Sequence, residues 1–310
     1  MNFKAMKFAQ AAAFAVLGAT AASAASIPIQ QQHKESSTDG LHFYNGTCTP
    51  EKISVRKEWR NLSAAQKTAY LKAELCLMAL PAQTTLNGVT SRFSDLQALH
   101  RSKTNVTLDD ADAGNLYQSD MWTADHFGGN GRASDSCVVD GVFANTTEHI
   151  GPLLENTDYC YYREWSPQQM PNMTSAAVES CTKYDTYYDF FNCMVVYPDG
   201  PHVAGHVSVG GLMADIDCSA GDPTFYLHHN YIDRVWWQWQ QADAKSRMFD
   251  ISGNSLNTTY LAEQGYVAPK GGYVETSLEY VLSVADIVPD VQIIDVVNVQ
   301  GGYLCYEYDY

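Results

Sequence analysis

The sequence predicts a mainly α fold with long loops and a few short strands. Three stretches carry that prediction. Ser63 and Gln66 form a capping box ahead of Leu71, Leu75 and Met78, an apolar stripe that ends at Pro81. Phe93, Leu96 and His100 fall on one face of a helix that starts near Ser91. Gly221-Asp222-Pro223 reads as the start of a longer helix, with Asp222 as N-cap and Pro223 in the first position, where its missing N–H costs nothing.

In chain order, Lys4 and Lys7, the apolar run Phe8 to Leu17 and Ala22-Ser23-Ala24 read as a secretory signal over 1–24. One domain over 25–310 is expected to follow, and an exported, soluble product is expected. The signal's apolar run is too short to span a bilayer, and no later stretch is apolar enough. Residues 26–47 read as a polar arm with His33 and His42 in solvent. A short helix is expected from about Pro50 to Arg60. Residues 113–150 are loop-rich, with turns at Phe127-Gly128-Gly129-Asn130-Gly131. Residues 155–195 read as a helical excursion stapled through cysteines. After the long helix, 243–275 reads as loop and Thr276 to Leu282 as a short helix. Val291 to Val299 and Gly301 to Tyr308 read as strands.

The formal net charge of −16 argues against nucleic acid and anionic membranes as partners, since both demand basic patches. Eight cysteines, at 48, 76, 137, 160, 181, 193, 218 and 305, favour disulfides in an exported chain, with the pairing left open. No CxxC zinc pattern occurs. Asn45, Asn61, Asn105, Asn145, Asn172 and Asn257 head glycosylation sequons.

The chemistry concentrates in residues 202–240. His202 and His206 form an HxxxH pair, and Val203 stands where a metalloprotease would need Glu. From the Asp222 cap, Phe225, His229, Asp233, Trp236 or Trp237, and Gln240 share a helical face. An imidazole among large apolar side chains, with a carboxylate one turn on, suits a buried metal ligand whose second ring nitrogen needs a partner. Three imidazoles suit copper or zinc.

HHNYIDRVWWQWQ after a Gly-Asp-Pro cap resembles the copper B half of the tyrosinase and catechol oxidase family, the type 3 copper proteins, and its short secreted fungal members above all. That resemblance implies a four-helix-bundle type 3 copper core, here expected to lack one bundle helix. It also implies copper ligation by His202, His206 and His229, with His228 as a neighbour and Asp233 as an orienting group. SRFSDLQALH resembles the stretch that ends in the family's first copper A histidine, here His100. Beyond it the pattern breaks. The chain runs from Arg101-Ser102-Lys103-Thr104-Asn105 straight into Val106-Thr107-Leu108. The family's second and third copper A ligands, its Trp-His-Arg helix and its Pro-Tyr-Trp-Asp-Trp segment are absent. Thr147 to Pro152 resembles a family segment that does not bind copper, so His126 and His149 are not expected to replace the lost ligands.

By resemblance, the implied activity is oxidation of o-diphenols or o-aminophenols to quinone-type products by dioxygen, with two coppers, each on three imidazoles. Val203 replaces an Asn found in members that hydroxylate monophenols. Phe225 and Trp236 would wall the site against water, and Gly210-Gly211 is either a plain turn or an opening for a flat ring. With one copper A ligand left, three readings stand: an oxidase whose sequence here lacks a block, an inactive derivative with a single metal ion on His202, His206 and His229, or a secreted glycoprotein with no metal. The expected partners are a small phenol and dioxygen, with no nucleic acid and no membrane.

Overall fold

Ser63 starts the first long helix as its motif predicts. Its hydroxyl accepts from the Gln66 N–H at 3.3 Å, and the Gln66 side chain accepts from the Ser63 N–H at 3.0 Å. The helix, α1 (Ala64–Ala79), belongs to a computed structural model that describes residues 48–103, 116–196, 199–253 and 275–309. The signal segment, the polar arm and the junction at Asn105-Val106 lie outside those residues, as do the sequons at Asn45, Asn105 and Asn257. The described residues belong to one compact unit, Tyr44–Tyr310. Among them no helix is long and apolar enough to cross a membrane.

The buried face of α1 is Lys67, Leu71 and Glu74, one step around from the predicted stripe, and Leu75 is 37% exposed. Lys67 tolerates burial because its ammonium reaches the Asp120 carboxylate at 2.5 Å, which also accepts from the Trp59 indole at 3.0 Å. Next comes α2 (Arg92–Lys103). Asp95 in its first turn accepts from the Gln83 and Thr84 N–H groups and the Thr84 hydroxyl, tying the α1–α2 connection to the helix.

The helix expected over Pro50 to Arg60 does not form. Instead β1 (Ser54–Arg56) pairs in parallel with β6 (Tyr306–Tyr308), and a 3-10 turn follows at Trp59–Asn61. The Cys48–Cys305 disulfide, at a sequence separation of 257, holds the two segments side by side. No local pattern could report such a partner. Between these ends, β2 (Thr147–Glu148) and β3 (Tyr159–Cys160) pair antiparallel near the Cys137–Cys160 disulfide. The predicted stapled excursion is α3 (Ser175–Thr182) and α4 (Tyr187–Val195), joined by Cys181–Cys193. Cys76 and Cys218 remain thiols.

Two helices carry the histidines: α5 (Pro201–Val209) and α6 (Phe225–Ala242), the latter followed by α7 (Ala244–Arg247). Asp222 caps α6 by accepting from the Thr224 N–H at 2.9 Å, but the first turn winds tightly and regular helix begins at Phe225. The buried stripe of α6 is His228, Ile232, Val235 and Trp239, not the predicted Phe225, His229, Asp233 and Trp236 series. Ile232, Val235 and Trp239 pack on Val178, Phe190 and Met194 of α3 and α4, so the excursion covers α6. Burying each such side chain contributes roughly 1.5–3 kcal/mol. Leu71 of α1, Ala98 of α2, Ala204 of α5 and Phe225 of α6 share one buried core.

The C-terminal expectations change in detail. Thr276 to Leu282 forms no helix; β4 (Val281–Leu282) pairs antiparallel with β5 (Val291–Gln292), and α8 (Ile293–Val296) follows at once. Asp295 accepts from the Gln292 N–H at 2.9 Å, and this capping box overrides the β-branched preference of the run. The fold is thus mainly helical with a few short strands.

Candidate metal centre

Helix α5 presents His202 and His206 one turn apart, so both rings leave the same face. Backbone packing fixes both ends of this helix. A Cβ at Gly200 would stand 2.5 Å from the Met194 carbonyl oxygen. Gly210 ends the helix at φ 68°, where a Cβ would come within 1.8 Å of the Glu164 carbonyl oxygen. At Gly211, φ 57°, a Cβ would come within 2.6 Å of the Arg163 Cα and the Tyr162 carbonyl oxygen. Gly210-Gly211 is therefore a turn pressed against residues 162–164, and the reading as an opening for a flat ring gains no support.

Helix α6 brings a third imidazole to the pair. Ligand atoms of His202, His206 and His228 all lie within 4.8 Å of one another. The His206 and His228 ring centres are 4.2 Å apart, edge to face. His229 stands further off, 5.6 Å from His206 and 6.3 Å from His202, and stacks on Phe225 at 3.7 Å. The structure thus groups His228 with the HxxxH pair more closely than the expected His229.

The chemistry of the cluster fits a nitrogen-ligated metal. The His206 Nδ1 lies 2.7 Å from the Met213 carbonyl, which makes Nδ1 the protonated nitrogen and leaves the Nε2 lone pair for a metal. Both His202 ring nitrogens and the His229 Nε2 are buried without a hydrogen-bond partner. Leaving such groups unmatched costs roughly 1–3 kcal/mol each, and a metal ion would offset that. Burial, reinforced by the His100 charge, pushes His206 down to about 4, and burial also drives His202, His228 and His229 well below the ordinary imidazole range. All four are neutral at physiological pH, the form that ligates copper or zinc.

His100 faces inward as predicted. Its Nδ1 is 3.4 Å from the Asp217 carbonyl, and its ring meets Phe225 edge to face at 5.0 Å. Phe225 therefore touches both His100 and His229. Asp233 does not take the expected role of orienting an imidazole: its carboxylate accepts from the Tyr306 and Tyr308 hydroxyls and pairs with Arg56 at 3.5 Å. His126 bonds the Asp120 carbonyl at 2.7 Å and His149 pairs with Asp158 at 2.7 Å, both away from the cluster. Trp236 is half-buried, and its indole nitrogen is buried without a hydrogen-bond partner.

A second buried group underlies the start of α6, and no local motif announces it. Asp222 accepts from the Tyr161 hydroxyl at 3.0 Å and lies 3.6 Å from the buried Arg163 guanidinium. Glu74 and Glu148 are buried close enough to feel the Asp222 charge. Burial first, then that charge, pushes each of them up to about 8. Arg163 also donates to the Gly128 and Gly129 carbonyls, tying the predicted turn cluster to this network.

Residues 105–242 match the family model described as the common central domain of tyrosinase. The match begins at the sequence break, after His100. The tyrosinase-like protein phomQ1 of Diaporthe leptostromiformis is 29% identical over 328 residues, covering 86% of this chain and 81% of that protein. Tyrosinase ustQ of Aspergillus flavus is 26% identical over 326 residues, covering 86% and 84%. The N-acetyl-6-hydroxytryptophan oxidase ivoB of Emericella nidulans is 23% identical over 354 residues, covering 84% and 94%. Each alignment runs over more residues than the 310 of this chain. These relatives therefore carry internal residues with no counterpart here. A solved polyphenol oxidase from Thermothelomyces thermophila shares the fold, with a TM-score of 0.71 at 21% identity over 86% of this chain and 91% of that one. The paired-histidine helices thus lie inside a tyrosinase common central domain, and the chain is similar to tyrosinase-like fungal proteins along most of its length and to a polyphenol oxidase in fold.

Proposed function

We propose that this chain is an exported copper oxidoreductase of the tyrosinase type that acts on o-diphenols or o-aminophenols. The observation that carries the reading is the convergence of His202, His206 and His228 within 4.8 Å in a buried, uncharged setting. Copper is held by His202, His206 and one imidazole of the His228-His229 pair. The geometry favours His228, and the family resemblance favours His229. Copper, when bound, supplies the one-electron steps between phenol and dioxygen. Two o-diphenols each lose two electrons and two protons, and one dioxygen is reduced to two waters.

The protein's own contribution is placement and exclusion of water. Met213 fixes the His206 tautomer, and Phe225, stacked on His229, closes one wall with an apolar ring. A phenolic ring meeting that wall gains roughly 0.5–1.5 kcal/mol from aromatic contact beyond the area it buries. Val203 puts no amide beside the first histidine, which favours substrates that already carry two adjacent oxygen or nitrogen functions.

The longer relatives support a second reading: with the copper A block missing, the chain holds one metal ion and does not turn over. Copper analysis together with oxygen uptake on catechol separates the two. Two coppers per chain with oxygen consumption supports the oxidase; one copper with no uptake supports the single-metal derivative. No retained copper sinks both. A transcript read across Asn105-Val106 shows whether a longer form of the chain is made.

A further inference from the structure

Three glycosylation sequons lie among the described residues, at Asn61, Asn145 and Asn172, and the fold engages their amides to different degrees. A side-chain amide carries two N–H donors. Half-buried Asn172 uses both: its Nδ2 donates to the Gln169 side chain at 2.8 Å and to the Asp199 carboxylate at 3.2 Å. Exposed Asn61 uses one, to the Asp309 carboxylate at 3.3 Å. Asn145 is exposed, and its side chain makes no hydrogen bond among the described residues. The sequon hydroxyls follow the same order. Thr174 caps α3, accepting from the Ala177 N–H and donating to the Pro171 carbonyl, and Ser63 caps α1. Thr147 stands exposed on β2, its hydroxyl without a partner among the described residues.

The backbone at Asn145 holds its shape without either side chain. Asn145 lies at φ 62°, a left-handed position that Asn adopts more readily than most residues. On either side of it, the Ala144 and Thr146 N–H groups donate to the Gly141 and Phe143 carbonyls, and the Thr146 carbonyl accepts from the Tyr161 N–H at 3.0 Å. Thr147 pairs with Cys160, which is bridged to Cys137. The amide is thus displayed on a frame that a substituent on Nδ2 does not disturb.

We propose that Asn145 carries an N-linked glycan and is the most fully occupied of these three sequons. The proposal rests on the exported reading above, because the sugar donor is met in the secretory pathway. In the transfer, Nδ2 attacks the anomeric carbon of a lipid diphosphate-linked oligosaccharide. An N–C bond forms, the C–O bond to phosphate breaks, the lipid diphosphate leaves with that electron pair, and the amide gives up one proton. Transfer acts on the extended chain, so the three sites differ in what folding then loses. Asn145 loses nothing. Asn61 must keep its remaining hydrogen on Asp309, which restricts where the sugar stands. Asn172 gives up one of two bonds and must admit a bulky group to a half-buried place, so chains modified there are depleted from the folded product.

The test takes the full chain from the medium of a yeast host. Peptide N-glycosidase in heavy-oxygen water converts each sugar-bearing asparagine to labelled aspartate, and mass spectrometry reads the labelled fraction at each site. Label is expected on Asn145 in most chains, falling through Asn61 to Asn172. Thr147→Val suits a strand but removes the hydroxyl that transfer requires, so it abolishes the Asn145 label, and Thr147→Ser keeps it. An unlabelled Asn145 in the secreted protein overturns the proposal, as does heavier label on Asn61 or Asn172. Should Thr147→Val not fold, the wild-type label alone decides. A chain absent from the medium contradicts the exported reading alone; the host's own secretion leader placed ahead of the chain then supplies export, and the same label judges Asn145.

Discussion

His206 shows why single atoms matter in this site. Its Nδ1 is committed to the Met213 carbonyl, so only Nε2 remains to ligate. His206→Ala is expected to abolish tight copper retention after dialysis, whereas His149→Ala, whose ring pairs with Asp158 outside the cluster, leaves retention unchanged. Atomic absorption on both variants checks this, and equal losses would contradict the assignment. The HxxxH spacing announces His202 and His206, because i and i+4 on a helix must share a face. Adjacent His228 and His229 carry no such information. About 100° around the helix separates them, and only the packing of α6 against other segments, which the local pattern does not contain, brings His228 nearer to His206 than His229. Asp233 misled for the same reason: its spacing from His229 suits an orienting carboxylate, but the tyrosines of β6 occupy it.

Among the elements, α5 and α6 do the placing and their ends hold them in place. Gly210 lies at φ 68° with no room for a Cβ, so Gly210→Ala combines backbone strain with a clash against Glu164 and is expected to cost on the order of 3 kcal/mol or more. Chemical denaturation monitored by tryptophan fluorescence measures it, and a loss below 1 kcal/mol would show that the turn can relax. The Cys48–Cys305 bridge closes a loop spanning almost the whole described chain, and Cys48→Ser/Cys305→Ser is expected to lose about 2–5 kcal/mol. The caps of α1 and α6 were legible, since capping is local; which face each helix buries was not, because that depends on what packs against it. Nor was the first strand. Pro50 to Arg60 looks helical in isolation and becomes a strand only because residues 306–308 arrive beside it.

For the whole molecule, pH tests the buried acids. Glu74 and Glu148 have folded-state values raised to about 8 from the ordinary carboxyl range, so the folded state binds more protons than the unfolded chain between those limits. Their contribution to stability is fully present below about pH 4.5 and is lost as pH rises through about 8. Glu148→Gln mimics the protonated form. Relative to wild type it is expected to gain stability across that window, by up to a few kcal/mol, and to match wild type near pH 4.5. Taking the difference removes the histidines, which slope the opposite way below about pH 6.5. A pH-independent difference in denaturation free energy would mean Glu148 titrates normally. The sequence could not reveal this network, because Glu74, Glu148, Arg163 and Asp222 come from four separate segments.

The account depends most on a metal at the clustered imidazoles, and copper content of the purified full chain tests that directly. After loading with copper and exhaustive dialysis, the account predicts at least one copper retained per chain, lost in His202→Ala. A wild-type chain that retains no more copper than His202→Ala would contradict it.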